Sequence, residues 1–282
     1  MRLVGGREGA PKARFHAPPD FVGRQLVRVK VGHMSTVDYS GALLKLQRAE
    51  AHIREVDFLV YHFLRRHNYR ISQKADFQNR QFGFEVALNE MPPVEISPVL
   101  GDAIHNLRSA LDVCVTANVA SHGTDTESSY FPFAKHGGKD IEFMIRKRAG
   151  DAGDEAMQIC REAKPYPGGN DALWGLHKAD ITDKHQAIIV TAAFASFKVK
   201  FVPPSPRRPI SIEAPIYYLG LEPSFVPSPE GCEFEHPSEL GLSVQVVFPA
   251  DGPMAGYPVV ATLYELLADV RWIVGQFQAR CP

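Results

Sequence analysis

Apolar residues recur at steps of three and four between Leu43 and Leu64, at Leu46, Ala49, Ile53, Val56, Val60 and Phe63. This spacing predicts an amphipathic helix. The segment runs out into "RRHNYR", whose cations suit the negative end of a helix dipole. Residues 69 to 90 alternate polar and apolar around "DFQNRQFGFEV", the period of a β-hairpin, with its turn near Gln78 to Arg80. "MPPVEISP" interrupts the alternation, and Ser97 before Pro98 marks a helix start, Ser as cap and Pro in the first turn. That second helix is expected to reach about Ala120 and stop before Gly123. "DIEFMIRKRAG" and "DEAMQICREAK" read as short helices, with the cations of "RKR" in solvent. After the turn-rich "KPYPGGN", the stretch "DALWGLHKADITDKHQ" predicts a helix burying Leu173, Leu176, Ala179 and Ile181.

From "AIIVTAAFASFKVKFV" the period switches to two and continues through "PISIEAPIYYLGLEP", "CEFEHP" and "LGLSVQVVFP". No helices intervene between these strands, so antiparallel pairing is expected. A last helix, about 258 to 280, carries Val260, Leu263, Leu267, Val270, Val274 and Phe277 on one stripe, either to close the core or to meet a second copy in a homodimer. The fold class is therefore α+β. A helical region (39–190) with an inserted hairpin precedes an antiparallel sheet and terminal helix (191–282), the two packed as one unit. Residues 1–38 read as a basic, disordered leader.

Composition narrows the classes of function. With 31 basic and 32 acidic side chains the chain has no global field for nucleic acid, which would need a local patch. The first 33 residues hold seven Lys or Arg but no aromatic stacking pattern, and Met34 offers an alternative start. Cys114, Cys160, Cys232 and Cys281 are scattered without metal-ligand spacing, as in a reduced cytoplasmic protein. No apolar run is long enough for a membrane span. The chain lacks a Walker loop, a GxGxxG and a nucleophile elbow, so no nucleotide cofactor is implied; any other cofactor and any small-molecule ligand are unidentified.

The chemistry concentrates in "GDAIHNLRSALD", residues 101 to 112. On a helix, Leu100, Ala103, Ile104, Leu107, Leu111 and Cys114 share one side, while Asp102, His105, Arg108, Ser109, Asp112 and Thr116 share the other. That polar side lacks Lys and Glu, the usual helix-forming choices for solvent, and turns apolar at Val115 and Val119. A covered polar network is expected, with Arg108 and Asp112 paired at i,i+4. Its partner is expected in the "DKH" helix, where His177, Asp180 and Lys184 share a stripe beside Asp183 and His185.

"YSGALLKLQRAEAHI", "GDAIHNLRSALDV", "YFPF", "KPYPGGN" and "ITDKHQ", in this order, resemble a widespread bacterial and phage-borne family whose members carry "GDxLHNLRSALDHL" and "DKHR". The family brings no activity with it. Val113 stands where the family pattern has His, and Gln186 where it has Arg. With that His, the pattern would resemble the Arg-x4-His motif of HEPN ribonucleases, in which His handles a proton and Arg stabilises charge on the phosphate. Here Arg108, His105 and Asp112 would have to do that work. A metal-dependent hydrolase is the second enzymatic option, with Asp102, His105, Asp180, Asp183 and His185 as a mixed nitrogen and oxygen set. The leading expectation is a structural or binding module whose Asp/His/Arg network joins two helices.

Overall fold

The structure is a computed structural model that describes residues 36–66, 68–76, 81–185, 190–199, 210–227 and 241–282. Helix α1 (Ser40–Arg65) leads into a hairpin, β1 (Tyr69–Asp76) and β2 (Gln81–Leu88). Helices α2 (Ile96–Ser121), α3 (Lys139–Ala149), α4 (Asp154–Ala163) and α5 (Asp171–His185) follow. Strands β3 (Thr191–Val199), β4 (Ile210–Leu219), β5 (Ser224–Pro227) and β6 (Gly241–Val247) precede the last helix, α6 (Val259–Arg280). The architecture is α+β.

Helix α2 is the axis of the molecule. Its apolar side is buried, with Leu100, Ile104, Leu107 and Leu111 fully covered, while Asp102 and His105 on the polar side stay exposed. Helices α1 and α6 pack against it, and all six apolar positions read for α1 are in the core. The apolar stripe of α6 closes that core: Leu263, Val270, Val274 and Phe277 are almost completely buried. Tyr39 joins the three helices at one end, since its hydroxyl donates to the Cys281 carbonyl at 2.9 Å and accepts from Asn118 Nδ2 at 2.9 Å. Farther along, Arg271 reaches Glu50 at 2.8 Å, so α1 and α6 run antiparallel.

Two antiparallel three-stranded sheets flank the helices, in the orders β1-β2-β5 and β4-β3-β6. In the first, β5 adds to the hairpin with Glu85 opposite Phe225. In the second, β3 is central, and its register shifts between Phe194 and Ser196 on both neighbours. The expected hairpin turn at Gln78 to Arg80 and the "CEFEHP" strand lie outside the described residues, as does the leader up to Ser35.

Three local expectations are corrected. Ser97 is not the cap of α2: the helix begins at Ile96, and a preceding turn from Pro93 to Ser97 feeds into it, which puts Ser97 and Pro98 inside the first turn. There Pro98 still lacks only an N–H that has no intrahelical partner. Ile181 is 38% exposed, because its neighbour Asp180 is the residue α5 turns inward. Of the "RKR" cations only Arg146 and Lys147 are exposed; Arg148 lies over the Tyr130 ring at 4.3 Å and donates to the Ser128 carbonyl.

Candidate functional site

Helix α5 lies antiparallel along the polar side of α2, so successive turns of one meet successive turns of the other. At one end the Asp183 carboxyl sits on Gly101, where a Cβ would come within 2.6 Å of its Cγ. A glycine in a helix interior costs about 0.5–1 kcal/mol relative to Ala; here it makes room for the approach of a carboxylate. One turn on, Asp180 meets His105, with Nδ1 to Oδ1 at 2.9 Å. Asp180 is 4% exposed, and its second oxygen accepts from Lys184 Nζ at 2.6 Å. Both lone-pair faces of a buried carboxylate are thereby engaged, as burial of such a group requires. The carboxylate fixes the proton of His105 on Nδ1 and turns Nε2 toward Ser109 Oγ at 3.3 Å. The His105 side chain is 49% exposed, so this edge of the ring is open.

The next turn is built differently. Arg108 is 6% exposed and forms a short ion pair with Asp112. Its other Nη donates to the Phe131 carbonyl at 3.2 Å, and Asp112 Oδ1 accepts from the Phe131 N–H at 2.9 Å. The pair thus reproduces a strand-like partner for one residue of the loop carrying "YFPF". Below the guanidinium lies the Phe133 ring at 4.5 Å, and His177 stacks on that ring at 4.4 Å with planes 9° apart. Burial and the nearby Arg108 charge pull the His177 pKa down to about 4. His177 Nδ1 is buried without a hydrogen-bond partner, which suits a neutral ring held for its shape. Cys114 belongs to the core side of α2, and burial pushes its thiol up to about 12, so it is no nucleophile at neutral pH.

The structure therefore joins His105 with Asp180, and Arg108 with Asp112, and lays both pairs along one seam. Among the described residues, the other members proposed for the five-residue metal set, Asp102 and Asp183, do not join His105 and Asp180. Asp102 is exposed, Asp183 lies against Gly101, Lys184 holds the free oxygen of Asp180, and the His185 side chain lies outside the described residues. Among the described residues no three His, Cys, Asp or Glu side chains are placed to hold a metal ion. Val113 faces α1, where a Cβ at Gly41 would lie 3.2 Å from its Cγ1. A side chain at position 113 thus points to a different helix from Arg108.

No family model, curated protein or solved structure matches the chain. The geometry alone carries the reading.

Three participants were not singled out from sequence as site residues. Ser109 and Lys184 follow His105 and Asp180 at i+4, a spacing visible in the sequence once the inward faces are known. Phe133 had no such signal, because its place beneath Arg108 is set by how the loop after α2 folds back.

Proposed function

We propose that the chain is a structural or binding module in which the Asp/His/Arg network fastens α5 and the 129–134 loop onto α2. The observation that carries this reading is Asp180, buried and engaged through both oxygens by one group from α2 and one from α5. Such a carboxylate specifies which turns of the two helices face each other, because a slip by one turn keeps Lys184 but takes His105 away and leaves one buried oxygen without a partner. Asp180→Ala is expected to lower the melting temperature, through a loss of about 1.5–3 kcal/mol typical of hydrogen bonds to a charged group. A variant that melts with the wild type would overturn the structural role.

A second reading has one observation in its favour: a buried Asp behind His105 and an open Nε2 in front of it form an oriented general base or acid. Two enzymatic forms follow from it. In a ribonuclease, Arg108 would have to leave Asp112 and Phe131 to reach a phosphate, so labelled RNA should be cleaved by wild type and spared by both His105→Gln and Arg108→Ala. In a metal-dependent hydrolase, elemental analysis of the native protein should find stoichiometric metal. Intact RNA and metal-free protein would leave the module reading alone.

A further inference from the structure

Away from the α2–α5 seam, helix α3 presents an unusual face. Lys139, Phe143 and Arg146 stand at i, i+4 and i+7, one stripe of the helix, and all three are exposed. Phe143 is 60% exposed, a large apolar ring held in water between cations one turn away on each side. A third cation, Lys147, lies 5.6 Å from the ring centroid. The stripe lines a cavity of about 690 Å³, within the range of small-molecule sites. Glu142 also lines it, but Arg161 neutralises that carboxylate with two hydrogen bonds, of 2.9 and 3.3 Å.

Tyr166 of the "KPYPGGN" motif lines the same cavity, and one edge of its ring lies against two glycines. A Cβ at Gly137 would lie 2.8 Å from the ring, and one at Gly169 2.7 Å, so neither position accepts a side chain without moving the tyrosine. The turn that carries it is closed by its own bonds: the Lys164 carbonyl accepts from the N–H groups of Tyr166 and Asn170, each at 2.8 Å. Asn170 Oδ1 then caps α5 by accepting from the Leu173 N–H at 2.9 Å. The cavity therefore has an aromatic wall on a hydrogen-bonded turn, an exposed aromatic on α3 and, at its rim, Lys139 and Arg146, which have no ion-pair partner among the described residues.

Two aromatic walls and rim cations match one ligand chemistry, a planar base joined to a phosphate. We propose that this groove binds nucleotide units, with the base stacked at Phe143 and Tyr166 and the phosphate held by Lys139 and Arg146. Stacking on aromatic faces with cations tracking the backbone is how single strands are bound without sequence preference. A duplex hides its base faces and does not fit a concave site of this kind. The source of the unit is either an unpaired strand or a free nucleotide. The proposal is independent of the α2–α5 network.

The test is fluorescence anisotropy with the full chain and a 5′-labelled single strand of mixed sequence, about 12 nucleotides, a length that covers typical single-strand sites. Run at about 50 mM salt, wild type should bind, as both RNA and DNA, and the corresponding duplex should bind more weakly. Phe143→Ala should weaken binding roughly tenfold or more, in line with the loss of one base–aromatic stack. Phe143→Trp should retain it. Arg146→Ala should weaken binding and reduce the salt slope by about one phosphate contact. These residues are exposed, so melting temperatures should stay close to wild type and exclude misfolding as the cause. Displacement of the strand by adenosine monophosphate at comparable concentration assigns the site to free nucleotides; displacement only by unlabelled strand assigns it to nucleic acid. No binding up to about 100 µM protein, the weak end of non-specific affinity, would overturn the proposal. So would equal binding by Phe143→Ala and Arg146→Ala, which would place the contact elsewhere, such as the basic first 33 residues. Tighter capture of an acidic peptide than of either nucleotide form would also overturn it.

Discussion

Gly101 and His177 are the residues where the seam departs most from ordinary helix chemistry, and each makes a prediction of definite sign. Gly→Ala inside a helix normally stabilises by about 0.5–1 kcal/mol. At position 101 the added methyl would overlap the Asp183 carboxyl, so Gly101→Ala should lower the melting temperature. In an Asp183→Ala background the same change should raise it; equal effects in both backgrounds would disprove the contact. His177 predicts a pH dependence. Its folded pKa, about 4, lies below the unfolded value of about 6.5. The unfolded chain therefore binds an extra proton between those values, and by linkage stability falls as pH drops through that window. Above pH 6.5 the contribution is fully present. His177→Phe keeps a flat ring on Phe133 and should flatten that part of the acid limb, measured as melting temperature against pH. An unchanged acid limb would show that His177 titrates normally.

At the scale of elements, the Arg108–Asp112 pair anchors the 129–134 loop to α2 through both polar groups of Phe131. Removing one partner of a buried, hydrogen-bonded charge pair costs about 3–5 kcal/mol, because the other is left uncompensated. Asp112 is 34% exposed, so water offsets part of that, and Arg108→Ala belongs at the lower end of the range. Arg108→Lys should fail to rescue, since an ammonium cannot reach Asp112 and the Phe131 carbonyl in one plane while stacking on Phe133. Urea titration gives both values, and a lysine variant as stable as wild type would contradict this account of the loop. Much of the helical layout was legible in the sequence: the three- and four-residue spacing in α1, α2 and α6 is the direct imprint of faces that are in fact buried. The ends were less so. The start of α2 is set by a turn at Pro93, which competes with the capping signal of Ser97. Ile181 was misplaced because hydropathy ranks isoleucine above aspartate, whereas the seam buries Asp180 through its two partners.

On the scale of the whole molecule, the long-range pairings were the hardest to read. Strand β5 joins the hairpin across more than a hundred residues, and nothing in the alternation of four residues specifies that edge. The cavity at α3 was equally hidden, since it needs Tyr166 from one element and Phe143 from another, while its parts looked like an exposed basic helix and a turn. The seam itself was legible as chemistry: short polar groups on two segments, unsuited to open solvent, pointed to a shared covered surface. Its detailed pairing was not, because the register of two helices depends on which turns meet. That register is the central claim, and the most direct measurement is a double-mutant cycle on His105 and Asp180, with urea unfolding of wild type, His105→Ala, Asp180→Ala and the double variant. The account predicts that the two losses are strongly non-additive, with a coupling of about 1 kcal/mol or more. Losses that add within about 0.3–0.5 kcal/mol, the behaviour of separated sites, would contradict it.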